Sequence, residues 1–179
     1  MQPDERCREI IAPNKPLKRL YLGILLWFVG RAIQAAARSD RSVRAEFEHL
    51  PENFTFGLGV MPRGPFMIVG KTKKGKVRYL GGDPHKYQLD LALKIKNIEA
   101  GILMFTFQES TAAAVARERL IVDGLTSNAC AIVRVLNIVE VYLLPKLIAQ
   151  LAVKRYPRWR MAQKAWGRTR IYVRTVLGF

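Results

Sequence analysis

Few side chains in this sequence are of the types that do chemistry, and they do not converge. Histidine occurs twice, at His49 and His85, each near turn residues; cysteine occurs twice, at Cys7 in a polar segment and Cys130 in an apolar one. Neither pair has metal-ligand spacing, and no disulfide framework follows from it, which suits a reducing compartment. The acids Asp83, Asp90, Glu109, Glu118, Asp123 and Glu140 are scattered over turns and element faces, where carboxylates act as caps and solvated charges. General acid and base catalysis needs convergent groups, and no such pair is evident. Gly70-Lys71-Thr72 ends like a phosphate loop, but the glycine required five residues earlier is Pro65, and no helix pattern follows the lysine. The expectation is a non-enzyme with no catalytic residue, no cofactor and no metal.

The charge balance is more informative. Thirty Lys and Arg face fourteen Asp and Glu over 179 residues, a net charge of +16. Such an excess fits a polyanionic partner, either nucleic acid or an anionic membrane surface, and composition does not separate the two. With half its residues hydrophobic, the chain is globular and long enough for one domain with a sizeable core.

Residues 1 to 16 are polar and carry Pro3, Pro13 and Pro16. The apolar run Leu20 to Gly30 then falls short of the ~20 residues needed to cross a bilayer. Lys15, Lys18 and Arg19 ahead of it also suit a signal peptide, but Arg31 and Gln34 stand where a neutral cleavage region belongs. The run therefore predicts an apolar helix, packed on the domain or lying shallowly in a membrane surface with its cations at the headgroups. A charged connector, Arg38 to Glu52, follows.

Phe54, Phe56, Leu58 and Val60 alternate with Thr55, Gly57 and Gly59, predicting a strand with one bulky face. Phe66 to Thr72 and Val77 to Leu80 predict a hairpin with cations at its tip, around Lys73-Lys74-Gly75-Lys76. Leu89, Leu91, Leu93 and Ile95 predict a strand with one dry face, after which Asn97 caps a helix over Ile98 to Gln108. Ser110 caps a short alanine-rich helix, Leu120 to Val122 makes a last strand, and a helix runs from Ser127 to Tyr156, kinked or split at Pro145. Residues 157 to 179 place Arg158, Arg160, Lys164, Arg168, Arg170 and Arg174 among Trp159, Trp166 and Tyr172 without one acid. That segment suits a membrane surface, a nucleic-acid stripe or a tail packed on its own domain.

The fold class expected is α+β: a mostly antiparallel five-stranded sheet covered on one face by helices that enclose an apolar cavity, with helical and basic extensions at both ends. The expected organisation is an extension over 1–46, a ligand-binding domain over 47–156 and a basic aromatic tail over 157–179.

The segment Leu89-Asp-Leu-Ala-Leu-Lys-Ile95, then two helices, then Ala116-Arg-Glu-Arg-Leu-Ile-Val-Asp-Gly124 before an apolar helix, resembles the sterol carrier protein type-two family. The resemblance spans roughly residues 47 to 144. Leu144-Pro-Lys146 is similar to a feature of the family's bacterial branch, which assists ubiquinone biosynthesis. The resemblance implies a non-catalytic carrier with an apolar tunnel for a sterol, fatty acyl chain, phospholipid or isoprenoid quinone.

On that reading the ligand-binding side chains are Phe56, Leu58, Phe66, Ile68, Leu89, Leu91, Leu93, Ile95, Leu103, Phe105, Phe107, Leu120, Val122, Ile132 and Leu136. Lys18, Arg19, Trp27, Lys73, Lys74, Arg158, Trp159, Arg160 and Trp166 would dock the protein on anionic membranes. The partners expected are thus a lipid and a membrane surface, at a cytoplasmic, peripheral location; a homodimer is open. A nucleic-acid-binding module is the alternative.

Overall fold

The computed structural model describes residues 15–106, 108–109 and 111–143. In chain order these form α1 (Pro16–Ser39), α2 (Arg41–Glu48), β1 (Thr55–Val60), β2 (Phe66–Lys71), β3 (Val77–Gly81), a 3-10 turn (Pro84–Lys86), β4 (Leu91–Ile95), α3 (Ile98–Phe105), α4 (Thr111–Ala116), β5 (Leu120–Gly124) and α5 (Thr126–Leu143). The expected helix beyond Leu143, the tail and the cap at Ser110 lie outside the described residues.

Helix starts follow from local chemistry. Asp40 separates α1 from α2 by accepting from the main-chain N–H groups of Ser42 and Val43, while Asn97 accepts from Ala100 N at 2.8 Å to open α3. The connector expected over 38 to 52 thus contains a helix of its own.

The five strands lie in the order β3-β2-β1-β4-β5. Three pairings are antiparallel, but β1 and β4 run parallel, with Leu58 beside Leu93. The sheet is therefore mixed. The β1-β2-β3 meander occupies one side of β1, so the returning chain adds β4 on the other.

α1, α2 and α5 join the inner sheet face in one core. Leu22, Leu26 and Ile33 of α1 meet Phe56, Leu58, Leu91, Leu93, Ile95 and Ile132 in it. Through α1 the segment 1–46 contributes to this core, one face of the helix packing on the sheet. By length and composition α1 could also cross a membrane, yet half of its apolar window is buried in the protein. Gly30 lets it sit close to the sheet: a Cβ there would lie 2.5 Å from the Tyr79 ring. An enclosed cavity expected between the layers is not shown among the described residues, whose buried side chains there form one cluster.

The outer face is covered differently. The Phe66 ring lies where a Cβ of Gly59 would be, and Leu89 approaches Gly57. Period two put Leu89 on the face of Leu91, but β4 begins only at Leu91. The preceding chain folds over the bare glycine face instead, held by Asp90, whose carboxylate accepts from Thr55 N at 2.8 Å.

Candidate functional site

The apolar residues of α1 form two stripes. Leu22, Leu26, Val29 and Ile33 turn to the core, while Leu17, Leu20, Tyr21, Ile24 and Trp27 face outward at helical spacing. Leu17, Leu20 and Ile24 are 81%, 63% and 60% exposed. The outward stripe forms one wall of an open groove of about 600 Å³ lined by Arg19, Leu20, Gly23, Ile24, Trp27, Gly64 and Pro65. An apolar surface rimmed by polar groups is the ordinary mark of an interaction site.

Cations lie on more than one side of α1. Lys15 and Lys18 bind Glu99 at the start of α3 at 2.5 and 2.7 Å. Hydrogen bonds from Lys15 and then Lys18 hold the Glu99 carboxyl down at about 2. The Arg19 guanidinium donates to the carbonyl of Arg63, and Arg31 lies 5.3 Å above the Trp27 ring. Of the expected docking residues, Arg19 and Trp27 therefore lie together in the groove lining, while Lys18 is held on the α3 side of α1.

Lys73 and Lys74 are exposed but elsewhere. α1 meets the β1–β2 turn at Gly64 and Pro65, whereas the hairpin tip lies beyond the opposite end of β2, roughly 20 Å away for a strand of that length. The two sites cannot form one compact patch. Arg158, Trp159, Arg160 and Trp166 lie outside the described residues.

The expected ligand residues divide as well. Phe56, Leu58, Leu91, Leu93, Ile95, Leu120, Ile132 and Leu136 are brought together in the inner core. Phe66, Ile68 and Leu89 belong to the outer face by strand alternation and by the glycine contacts of Phe66 and Leu89. Leu103 and Phe105 of α3 are half-buried, Val122 is partly exposed on the edge strand, and Phe107 is outside the described residues.

Several polar contacts were not legible beforehand. Glu109 is buried, its two oxygens each 2.8 Å from Arg117 and Arg119. Burial opposes its charge, but the hydrogen bonds from Arg119 and Arg117 hold the carboxyl below its usual range. Its nearby arginines were the available signal. Lys71, the lysine of the failed phosphate loop, donates to the carbonyls of Phe47 and Leu50 at 2.7 and 2.6 Å, tying the end of α2 to β2. Tyr142 donates to Asp40 and fastens α5 to the α1–α2 junction. Glu140 on α5 is pushed up to about 7 by burial. Among the described residues no group of three metal-ligating side chains occurs.

No family model and no curated protein matches the sequence. Among solved structures, the chain is similar to sterol carrier protein type-two domains. One is a ubiquinone synthesis protein, UbiJ-SCP2, at 17% identity and TM-score 0.41, covering 71% of this chain and 99% of that one. Another is sterol carrier protein domain 2 of Helicoverpa armigera, at 16% identity and TM-score 0.41, covering 72% and 94%. A third is palmitated SCP2L2 from Aedes aegypti, at 16% identity and TM-score 0.36, covering 57% and 91%.

Proposed function

We propose that this protein is a non-catalytic carrier of an apolar lipid and that it docks on anionic membrane surfaces through the outward face of α1. The observation that carries the reading is the stripe Leu17, Leu20, Tyr21, Ile24 and Trp27, left in water beside a groove, with Arg19 in the groove lining, Arg31 over Trp27, and Lys15 and Lys18 at the start of the same helix. A helix lying in a lipid interface has this composition: apolar side chains toward the acyl region, cations at the phosphates. Each Leu or Ile fully withdrawn from water contributes ~1.5–3 kcal/mol. The lysines and arginines add ~1 kcal/mol each near an anionic leaflet.

Carriage uses the interface between helices and sheet. Its inner wall is apolar throughout, and α3 covers one end with the half-buried side chains Ile102, Leu103, Met104 and Phe105. Displacing α3 from Leu22 and Val60, which it touches at Gly101, opens a tunnel toward Leu93 and Ile95. An acyl or isoprenoid chain there gains ~0.8 kcal/mol per buried methylene and needs no polar partner. Sterols, fatty acyl chains, phospholipids and isoprenoid quinones all fit that requirement. The location proposed is peripheral, on a cytoplasmic membrane face.

The test is lipid extraction from the purified chain, joined to flotation with phosphatidylserine vesicles over a salt series. A copurifying lipid and salt-sensitive flotation are expected. Lipid-free protein that ignores the vesicles but shifts nucleic acid in a gel would replace this reading with the alternative one.

A further inference from the structure

The two edges of the sheet are finished differently. In β3 the pairing Thr72 N to Lys76 O at 2.9 Å sets which groups face β2, and by alternation Val77 and Tyr79 point their main-chain groups outward. Gln34 of α1 accepts the outward N–H of Tyr79 at 2.8 Å. That edge is thus capped from within the chain.

In β5, Lys96 N donates to Arg119 O at 2.9 Å, so Ile121 and Asp123 bond to β4, while Leu120, Val122 and Gly124 direct theirs outward. Among the described residues nothing meets those groups. Around them Ile121 is 43%, Val122 36% and Leu125 68% exposed, with Val115 of α4 also exposed. Lysine, proline or a bulge, the usual protections of a free edge, are missing from Leu120–Gly124.

We propose that β5 is the docking edge for a second copy of this chain, paired antiparallel about a two-fold axis at Ile121. Charge selects both the occupant and the register. Centred there, Arg119 lies opposite Asp123 of the second copy, and the reciprocal pair forms by symmetry. Ile121 meets its own equivalent, and Leu120 exchanges main-chain hydrogen bonds with Val122 of the other copy. Arg119 uses Nη1 for Glu109 and Asp123 uses Oδ2 for Lys94, which leaves guanidinium donors and Oδ1 for the new pair. A register one residue further, centred on Val122, sets Ile121 against a carboxylate instead. The result is one sheet continuing through both copies, with both helix layers on the same side. It requires no bound lipid and stands apart from the carrier reading.

Sedimentation of the full chain over a concentration series tests this. The expected mass is that of two copies. Val122→Pro removes an N–H that no group among the described residues accepts, so the fold is retained by circular dichroism while Kd for self-association rises by more than about tenfold. Ile121→Cys, with Cys7 and Cys130 replaced by Ser, places two thiols at a non-hydrogen-bonded pair whose Cα spacing is ~4.5 Å, within disulfide range. Mild oxidation should link it much faster than Val115→Cys in the same background. A one-copy mass throughout, a folded Val122→Pro chain that still pairs normally, or equal cross-linking at Ile121 and Val115 would each overturn the proposal. Should Val122→Pro fail to fold, the cysteine comparison decides.

Discussion

The two stripes of α1 are built from the same kinds of residue and have opposite fates. Leu22, Leu26 and Ile33 are fully buried against sheet and helices, while Leu17, Leu20 and Ile24, a few residues away, stay in water. Apolar character alone therefore does not say what a helix is for. The inward stripe is held by packing, and its loss is a loss of fold. The outward one buries far less within the described residues, and its loss should leave the fold in place.

Leu26→Ala or Ile33→Ala should break the comparison most sharply, lowering stability by ~2–5 kcal/mol in denaturant titrations, with vesicle binding of the folded fraction unchanged. On α5, which packs along α1, Glu140 supplies a pH signature. Its carboxyl is raised to about 7 by burial, so between pH 4.5 and 7 the unfolded chain binds fewer protons than the folded one. Stability should fall as pH rises through that window, by up to ~2–3 kcal/mol, and Glu140→Gln should flatten the profile.

Gly30→Val forces a side chain against the Tyr79 ring and should cost ~1–3 kcal/mol, seen as a lowered Tm. Leu20→Ser with Ile24→Ser should leave stability within ~0.5 kcal/mol yet weaken vesicle binding at least about tenfold. If that double variant melts early while binding vesicles normally, the division of α1 into two stripes is wrong. The smallest effect is at Glu99, whose pKa is lowered to about 2. It adds stability above its ordinary range that fades as pH falls from 4.5 toward 2, a slope opposite in sign to that of Glu140 and absent in Glu99→Gln.

Much of the fold was legible in the sequence because strand and helix periods differ so plainly. Glycines alternating with Phe56 and Leu58 announced β1, and Asn97 announced α3. Leu89 was misplaced because alternation has no way to mark where a strand begins; the bare faces of Gly57 and Gly59 were the competing attraction. The parallel pairing of β1 with β4 depends on which side of β1 remains open, which no local pattern records.

The site was legible in its composition but not in its layout. Lys18, Arg19 and Trp27 were expected at a membrane together with Lys73 and Lys74, and only the length of β2 shows that these groups lie apart. The apolar run of α1 was visible at once. Which of its side chains face out depends on where the sheet sits beneath it.

One ion pair couples what has so far stood as two separate events. Lys15 and Lys18 belong to the helix proposed to dock on membranes, and Glu99 on α3 holds both of them. Phospholipid phosphates would compete with that carboxylate for the same ammonium groups. On the proposed docking reading, arrival at the bilayer would loosen the tether of the helix covering the apolar interior, so that the surface on which the protein lands would also be the key that unlocks it.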